Sequence, residues 1–195
     1  MRDDPASLQP PQVRTMQMIW GSLVVTTLLY PFVVVSTGRA AAAEPGPPAL
    51  FYGVFALFSL SLGAMSLALP GLMQKRAARG AALVSGLEVD EAQRYEPERE
   101  QGFRDPAAAR VERVFRDPQR AALTAARVYL TPFVVGAALA EAVANLGLVL
   151  AFLGAGIRPA LPFFAAALGL LAARFPTTER VLAAFEETTG VRFPR

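Results

Sequence analysis

Residues 16–37, with the sequence MQMIWGSLVVTTLLYPFVVVST, contain no charged side chain and consist mainly of aliphatic and aromatic residues. A helix of this length, rising about 1.5 Å per residue, crosses the roughly 30 Å hydrocarbon core of a bilayer. A soluble chain has little use for a helix that is apolar on every face, because at least one face must meet water. The run therefore predicts a membrane-spanning helix.

Three further segments follow the same pattern, at residues 49–73, 128–153 and 159–175. The last two are joined by the short sequence GAGIRP, which is typical of a tight connection between antiparallel helices. We predict an all-α polytopic membrane protein with four transmembrane helices, a long cytoplasmic loop and a C-terminal amphipathic helix. The expected organisation is a cytoplasmic segment (1–15), a hairpin of two spans (16–73), a loop with short helices (74–127), a second hairpin (128–175) and a cytoplasmic helix (176–195).

The positions of Lys and Arg predict the orientation of the spans. Two precede the first span, eleven lie in residues 74–127 and four lie at the end of the fourth span or beyond it, the first being Arg174, whereas each short connection has one, Arg39 or Arg158. Basic residues in short flanking segments remain in the cytoplasm. We therefore expect a bacterial-type inner-membrane protein with both termini cytoplasmic.

A basic group follows the second span and consists of Lys75, Arg76 and Arg79. We expect these side chains to anchor the span at the cytoplasmic surface and to contact lipid head groups. Membrane lipids are thus predicted partners of the chain.

A cleaved signal peptide at residues 18–43 is an alternative interpretation of the first span, since the small residues Ala40–Ala43 follow its apolar core. The core is longer than the roughly 7–15 residues usual in such peptides. Arg39 also lies close to the cleavage position. We therefore favour a retained span.

The composition excludes many kinds of chemistry. The chain has no Cys and no His, and its mean hydropathy is +0.36. Disulfides, thiolate or imidazole metal ligands, cysteine nucleophiles and histidine bases are therefore excluded. Arginines gathered at the ends of apolar segments, without interleaved aromatic residues, do not indicate nucleic-acid binding. We expect no enzymatic activity, no metal and no cofactor.

The loop contains the sequence Phe-Arg-Asp-Pro twice, at residues 103–106 and 115–118. Asp at a helix cap accepts a hydrogen bond from a free backbone amide, and Pro at the first helical position has no amide proton to leave unpaired. Two helix starts are predicted, and the second helix is expected to continue into the third span. Residues 87–101 are polar and weakly patterned, so we expect them to be solvated.

A last helix is predicted to begin after Pro176 and to end near Gly190. Val181, Leu182 and Phe185 share one side of it. This apolar face is expected to pack on the loop or to lie on the membrane surface. A docking face for a partner is the alternative.

Glu141 lies near the middle of the third span. A charged carboxylate at mid-bilayer costs about 2.5–3.5 kcal/mol on insertion scales. Along the same helix the nearest arginine, Arg127, is fourteen residues away, or about 21 Å. We therefore predict that Glu141 is protonated at neutral pH and points into the bundle. Asn145, one helical turn later, is predicted to complete an intramembrane polar pair.

The neighbourhood of this pair is predicted from residues that share helical faces. Small side chains let helices approach closely, and hydroxyl groups can bond across helices. The small residues expected at helix contacts are Gly136, Ala140, Ala144 and Gly63, and the candidate hydroxyl partners are Ser22, Thr26 and Tyr30 on the first span with Ser59 and Ser66 on the second.

Residues 140–153, AEAVANLGLVLAFL, resemble the carboxylate-bearing helix of the rotary ATP synthase proteolipid, subunit c, in which an acid is followed by small and aliphatic residues. In that family the acid binds and releases the transported proton, so the resemblance implies that Glu141 is a proton carrier. The chain departs from the family in its loop of some fifty residues and in having the acid on the third of four spans. We therefore do not predict a rotor ring.

Two functions follow from these features. The first is a non-enzymatic accessory or assembly subunit of a membrane complex, in which Glu141 and Asn145 are structural polar groups and the partners are other membrane subunits or further copies of the chain. The alternative is a proton- or ion-coupled component in which Glu141 titrates. A membrane enzyme ranks third, because no nucleophile, phosphate-binding glycine loop or metal spacing is present.

Overall fold

The computed structural model describes residues 10–38, 46–84, 89–93 and 111–194, and in these ranges the chain is mostly helical. In chain order the helices are α1 (Pro11–Ser36), α2 (Ala49–Val84), α3 (Pro118–Leu150), α4 (Ile157–Ala172) and α5 (Thr178–Thr189), and two strands, β1 (Val89–Gln93) and β2 (Val111–Phe115), lie between α2 and α3.

Three of these helices, α1, α2 and α3, are long and apolar enough to cross a membrane. Large apolar side chains on α1 and α2 face outward, such as Phe32, which is 68% exposed, and Leu50, which is 75% exposed. Soluble monomers rarely expose apolar surface so extensively. These properties are those of a membrane protein. The fourth apolar helix, α4, has 16 residues and is therefore about 24 Å long.

The helix bounds differ from the predicted spans at several ends. Helix α1 begins at Pro11 rather than residue 16, and α2 continues through Pro70 and the basic group to Val84 rather than ending at residue 73. Helix α3 begins at Pro118 and continues into the third apolar segment, as the second Phe-Arg-Asp-Pro sequence predicted. Hydropathy identifies only the apolar part of a helix, whereas backbone hydrogen bonding continues through charged residues. The first Phe-Arg-Asp-Pro sequence, Arg39 and the alternative cleavage position lie outside the described residues.

The connection between α3 and α4 is a π-helical turn at Ala151–Ala155 followed by Gly156. Gly154 and Gly156 have φ values of 95° and 78°, in the region that glycine enters without a steric penalty. The tight connection reverses the chain, as the sequence predicted, and α4 packs against α3.

Helix α3 is the centre of the bundle, because it contacts α1, α2 and α4. It packs tightly against α4 at Gly147, where an added Cβ would lie 2.7 Å from Phe163 Cβ and 3.1 Å from the carbonyl oxygen of Ala160. Val34 near the end of α1 packs with Ala160 near the start of α4. Helices α1 and α4 are therefore antiparallel neighbours.

At one end of the bundle, several elements share a cluster of buried side chains, here called the end cluster. Its members come from the start of α1, the end of α2, strand β2, the start of α3, helix α5 and the C-terminal segment. They include Val13, Ala78, Phe115, Ala121, Val181, Phe185 and Phe193. The rings of Phe115 and Phe185 stack with centroids 5.8 Å apart.

The start of α3 and both ends of α5 have the predicted caps. Asp117 accepts a hydrogen bond from the amide of Arg120 (2.9 Å), with Pro118 at the first turn. Thr177 accepts one from the amide of Arg180 (3.2 Å), and α5 ends at Gly190, which is left-handed. Of the interpretations of the α5 face, packing within the chain is the one observed, since Val181 and Phe185 are buried in the end cluster.

The prediction of short helices in the loop was wrong for residues 111–115. Strands β1 and β2 pair antiparallel, with Val89 opposite Phe115. On its other side β2 meets the C-terminal segment, since the amide of Phe115 donates to the carbonyl of Arg192 (3.1 Å) and the amide of Arg192 donates to the carbonyl of Arg113 (2.9 Å). The chain is therefore not entirely α-helical. Pairing between segments almost eighty residues apart leaves no local signal in the sequence, which is why the prediction missed it.

Candidate functional site

The site centres on Glu141 of α3 and Tyr30 of α1. The hydroxyl of Tyr30 donates a hydrogen bond to Glu141 Oε1 over 3.2 Å, and both side chains are half-buried. The Tyr30 ring also packs against Phe164 of α4, with centroids 6.2 Å apart. Tyr30 thus bridges α3 and α4 and holds one carboxyl oxygen of Glu141 at the boundary between α1 and α3.

Glu141 lies at the edge of the bundle, half-buried, and bonds Tyr30, one of the hydroxyl partners that the sequence predicted. Beside it along α3 runs a line of exposed residues, here called the outer stripe. They are Thr131, Val134, Ala138, Asn145 and Val149. The spacing of three and four residues is that of one helical face.

The buried face of α3 is occupied by the small residues instead. Ala140 and Ala144 are fully buried, and Gly136 is buried too. Glu141 follows Ala140 by one residue, about 100° around the helix, which puts it on the flank of this face. Small side chains on this face allow α1 and α4 to pack closely against α3.

Asn145 is exposed one turn beyond Glu141 on the outer stripe. Among the described residues, the hydrogen-bond partner of Glu141 is Tyr30 rather than Asn145. Glu141 lies at the edge of the bundle, and the amide of Asn145 is presented outward among apolar and small side chains.

The candidate hydroxyl partners fall into separate groups. Ser66 is buried and its Oγ donates to the carbonyl oxygen of Gly136 (2.9 Å), which ties α2 to α3. Ser22 and Thr26 bond the carbonyls of their own helix, four residues back. Ser59 Oγ is buried and has no hydrogen-bond partner among the described residues. Of the five, only Tyr30 reaches Glu141 in the described contacts.

Gly63 and Gly136 lie at contacts between helices. A Cβ added to Gly63 would be in ordinary contact with Leu170 Cδ1, at 3.7 Å. At Gly136 it would overlap the guanidinium of Arg174 and lie 2.8 Å from Pro70 Cγ. Because Gly136 has no side chain, the guanidinium of Arg174 can pack against α3 at this position.

Sequence reasoning missed the polar contacts at the end of α4. Trp20 Nε1 donates to the carbonyl of Leu171 (2.8 Å), and its ring meets Phe175 edge-on at 4.9 Å. Arg180 donates through one Nη to the carbonyls of Ala173 (2.9 Å) and Phe175 (3.2 Å). The sequence signal available was the general tendency of Trp and Arg to lie near helix ends in membranes.

Two further side chains were also missed. Burial lowers the pKa of Arg174, and the nearby Tyr129 opposes this effect. Thr27 is fully buried on the face of α1 that includes Tyr30, and its Oγ1 has no hydrogen-bond partner among the described residues. The basic group at the end of α2, predicted to contact lipid head groups, is exposed.

The polar side chains of this site are a phenol, a carboxyl and an amide, which can form hydrogen bonds. In the described ranges, no three His, Cys, Asp or Glu side chains are grouped so that they could hold a metal ion. No family model, no curated protein and no solved structure matches this chain.

Proposed function

We propose that the chain is a non-enzymatic protein of a bacterial-type inner membrane that serves as an accessory or assembly subunit of a membrane complex. The observation that carries this proposal is the exposure of Asn145 on the lateral surface of the bundle, one turn from the half-buried Glu141. In lipid, an outward-facing amide has no hydrogen-bonding solvent, and its exposure is costly. Contact with another membrane protein removes this cost, because polar groups can then bond across helices.

Four spans with both termini in the cytoplasm fit this proposal. The end cluster unites the start of α1, the end of α2, the start of α3 and α5 at one end of the bundle. Trp20 near the start of α1 bonds Leu171 near the end of α4, whereas Val34 packs with Ala160 at the other end. Helix α4 therefore contacts α1 near both of its ends, which supports a role for α4 as a short fourth span. The distribution of Lys and Arg supports a cytoplasmic position for the shared end.

The alternative is a proton-coupled component in which Glu141 binds and releases a proton. The contact between Tyr30 and Glu141 favours this function, because a phenol can orient a carboxyl group during proton exchange. The resemblance of residues 140–153 to the proteolipid helix favours it too. The accessory role remains our first proposal, since it accounts for Asn145 as well as for Glu141.

Replacement of Glu141 separates these functions. Glu141→Gln keeps a hydrogen-bonding group beside Tyr30 and abolishes titration, whereas Glu141→Leu removes both properties. For an accessory subunit, we expect Glu141→Gln to be recovered in the same complex as the wild type and Glu141→Leu to be recovered in smaller amount. A Glu141→Gln protein that assembles normally but abolishes proton uptake by membrane vesicles would establish the alternative.

Purification of the tagged full-length chain in mild detergent tests the proposal directly. We expect an assembly with a mass greater than that of one chain plus its detergent, measured by light scattering or native mass spectrometry. A chain recovered only as a monomer at every detergent concentration tested would contradict it.

A further inference from the structure

The outer stripe combines small exposed side chains with the exposed amide of Asn145. Ala138 is exposed one turn before Glu141, so the backbone of α3 is accessible to a neighbouring helix at this point. Asn145 follows one turn after, and Val134 and Val149 continue the stripe with side chains of moderate size. This surface can therefore receive a helix along several turns.

The polar groups of the stripe are complementary to themselves. The exposed carboxamide of Asn145 contains both a donor and an acceptor, and a carboxyl group has acceptor capacity at both oxygens, of which Tyr30 takes Oε1. Two identical surfaces can thus satisfy each other, either by pairing Asn145 with Asn145 or by pairing Asn145 of one copy with Glu141 of the other.

The membrane imposes a geometry that fits such pairing. Copies inserted in the same orientation have equal residues at equal depth, and a two-fold axis along the membrane normal brings the same stripe of both copies together. Glu141 and Asn145 are separated by about 6 Å along the helix, which lies within reach of side chains from a crossing neighbour.

We propose that the outer stripe of α3 binds a second copy of this chain, forming a symmetric dimer within the membrane. This inference rests on the proposed function and names the partner of its lateral surface. The paired carboxyl and amide groups of the two copies replace the hydrogen bonds that lipid cannot provide.

Cysteine cross-linking tests the dimer, because the chain contains no Cys of its own. Ala138→Cys places a thiol on the outer stripe, and Ala165→Cys places one on the exposed face of α4 as a matched control. A disulfide requires Cβ atoms about 3.5–4.5 Å apart. In oxidised membranes we expect Ala138→Cys to form a covalent dimer and Ala165→Cys to remain monomeric.

A double variant tests the polar contact itself. Asn145→Leu combined with Ala138→Cys should weaken dimer formation about 5- to 30-fold, the range that interhelical hydrogen bonds support. Asn145 is exposed, so circular dichroism of the purified variant should be that of the wild type.

The other outcomes separate the dimer from the proposed function. An Ala138→Cys product formed with a protein of different mass contradicts self-association and leaves the accessory role standing. Equal cross-linking at Ala138→Cys and Ala165→Cys contradicts a specific interface. If Ala138→Cys stays monomeric and purification yields no other protein, the dimer and the accessory role both fail.

Discussion

The hydroxyl of Tyr30 on α1 donates a hydrogen bond to Glu141 on α3, with 3.2 Å between the two oxygens. The residues are 111 positions apart in the chain, and α1 and α3 meet along much of their length. One carboxyl oxygen is thereby satisfied inside the protein. Asn145, one turn later on α3, is exposed on the lateral surface, and the proposed function follows from that position.

Loss of the Tyr30 hydroxyl should destabilise the bundle. We expect Tyr30→Phe to lower the free energy of unfolding by about 0.5–1.5 kcal/mol, the usual net value of one hydrogen bond. Unfolding by SDS in mixed micelles, followed by circular dichroism, measures this change. Tyr52→Phe, near the start of α2, is the control, and equal losses in both variants would show that the contact with Glu141 contributes nothing.

Ser66 and Ser61 form a matched pair on α2. Ser66 is buried and bonds Gly136 on the neighbouring helix, whereas Ser61 is exposed and bonds the carbonyl of Leu57 on its own helix. Ser66→Ala should cost about 0.5–1.5 kcal/mol, and Ser61→Ala should cost little because only a local bond is lost. The same unfolding assay compares them. A larger loss at Ser61 would contradict the packing of α2 on α3.

Glycines of α3 and α4 should respond to alanine with opposite signs. At Gly147 an added Cβ lies 2.7 Å from Phe163 Cβ, so overpacking of about 1–3 kcal/mol should exceed the gain in helix propensity of about 1 kcal/mol. At Gly169 nothing lies within 4 Å of the added atom, so Gly169→Ala should be neutral or stabilising. Thermal unfolding in detergent measures both variants, and stabilisation by Gly147→Ala would refute the close approach of α3 and α4.

The end cluster depends on Phe185, which is 2% exposed and stacks on Phe115. Phe185→Ala should lower the free energy of unfolding by about 3–5 kcal/mol because it removes a buried ring and leaves a cavity. Phe32, which is 68% exposed on α1, gives the control Phe32→Ala, with a small expected effect. Unfolding of both purified variants in detergent, followed by circular dichroism, measures the difference. If Phe185→Ala were as stable as Phe32→Ala, the α5 face would be free to dock a partner instead.

Local sequence rules identified the helix starts and the apolar segments well. Asp117, Thr177 and Gly190 lie at the helix ends that the sequence predicted, because caps depend on a few neighbouring residues. The glycines between α3 and α4 likewise predicted the reversal of the chain there. The ends of apolar segments, however, are not the ends of helices, as the extension of α2 to Val84 demonstrates.

The rest depends on contacts between distant segments. The pairing of β2 with Arg192 and the burial of Trp20 against α4 leave no periodic pattern in the sequence. The contact of Glu141 with Tyr30 was among those that the sequence predicted, because hydroxyl groups on one face of α1 were its candidate partners. The small residues Ala140 and Ala144 form the buried ridge beside it. Helical spacing from these two residues puts Glu141 on the flank.

The central claim, that Glu141 lies at the depth of the lipid tails, is tested most directly by spin labelling at Ala138→Cys in reconstituted vesicles. Arg120→Cys on the same helix, eighteen residues and about 27 Å nearer the start of α3, gives the reference at the membrane surface. The ratio of collision rates with oxygen and with a water-soluble nickel complex reports depth. We predict a high ratio at Ala138→Cys and a low ratio at Arg120→Cys, whereas equally low ratios at both positions would contradict a membrane location for Glu141.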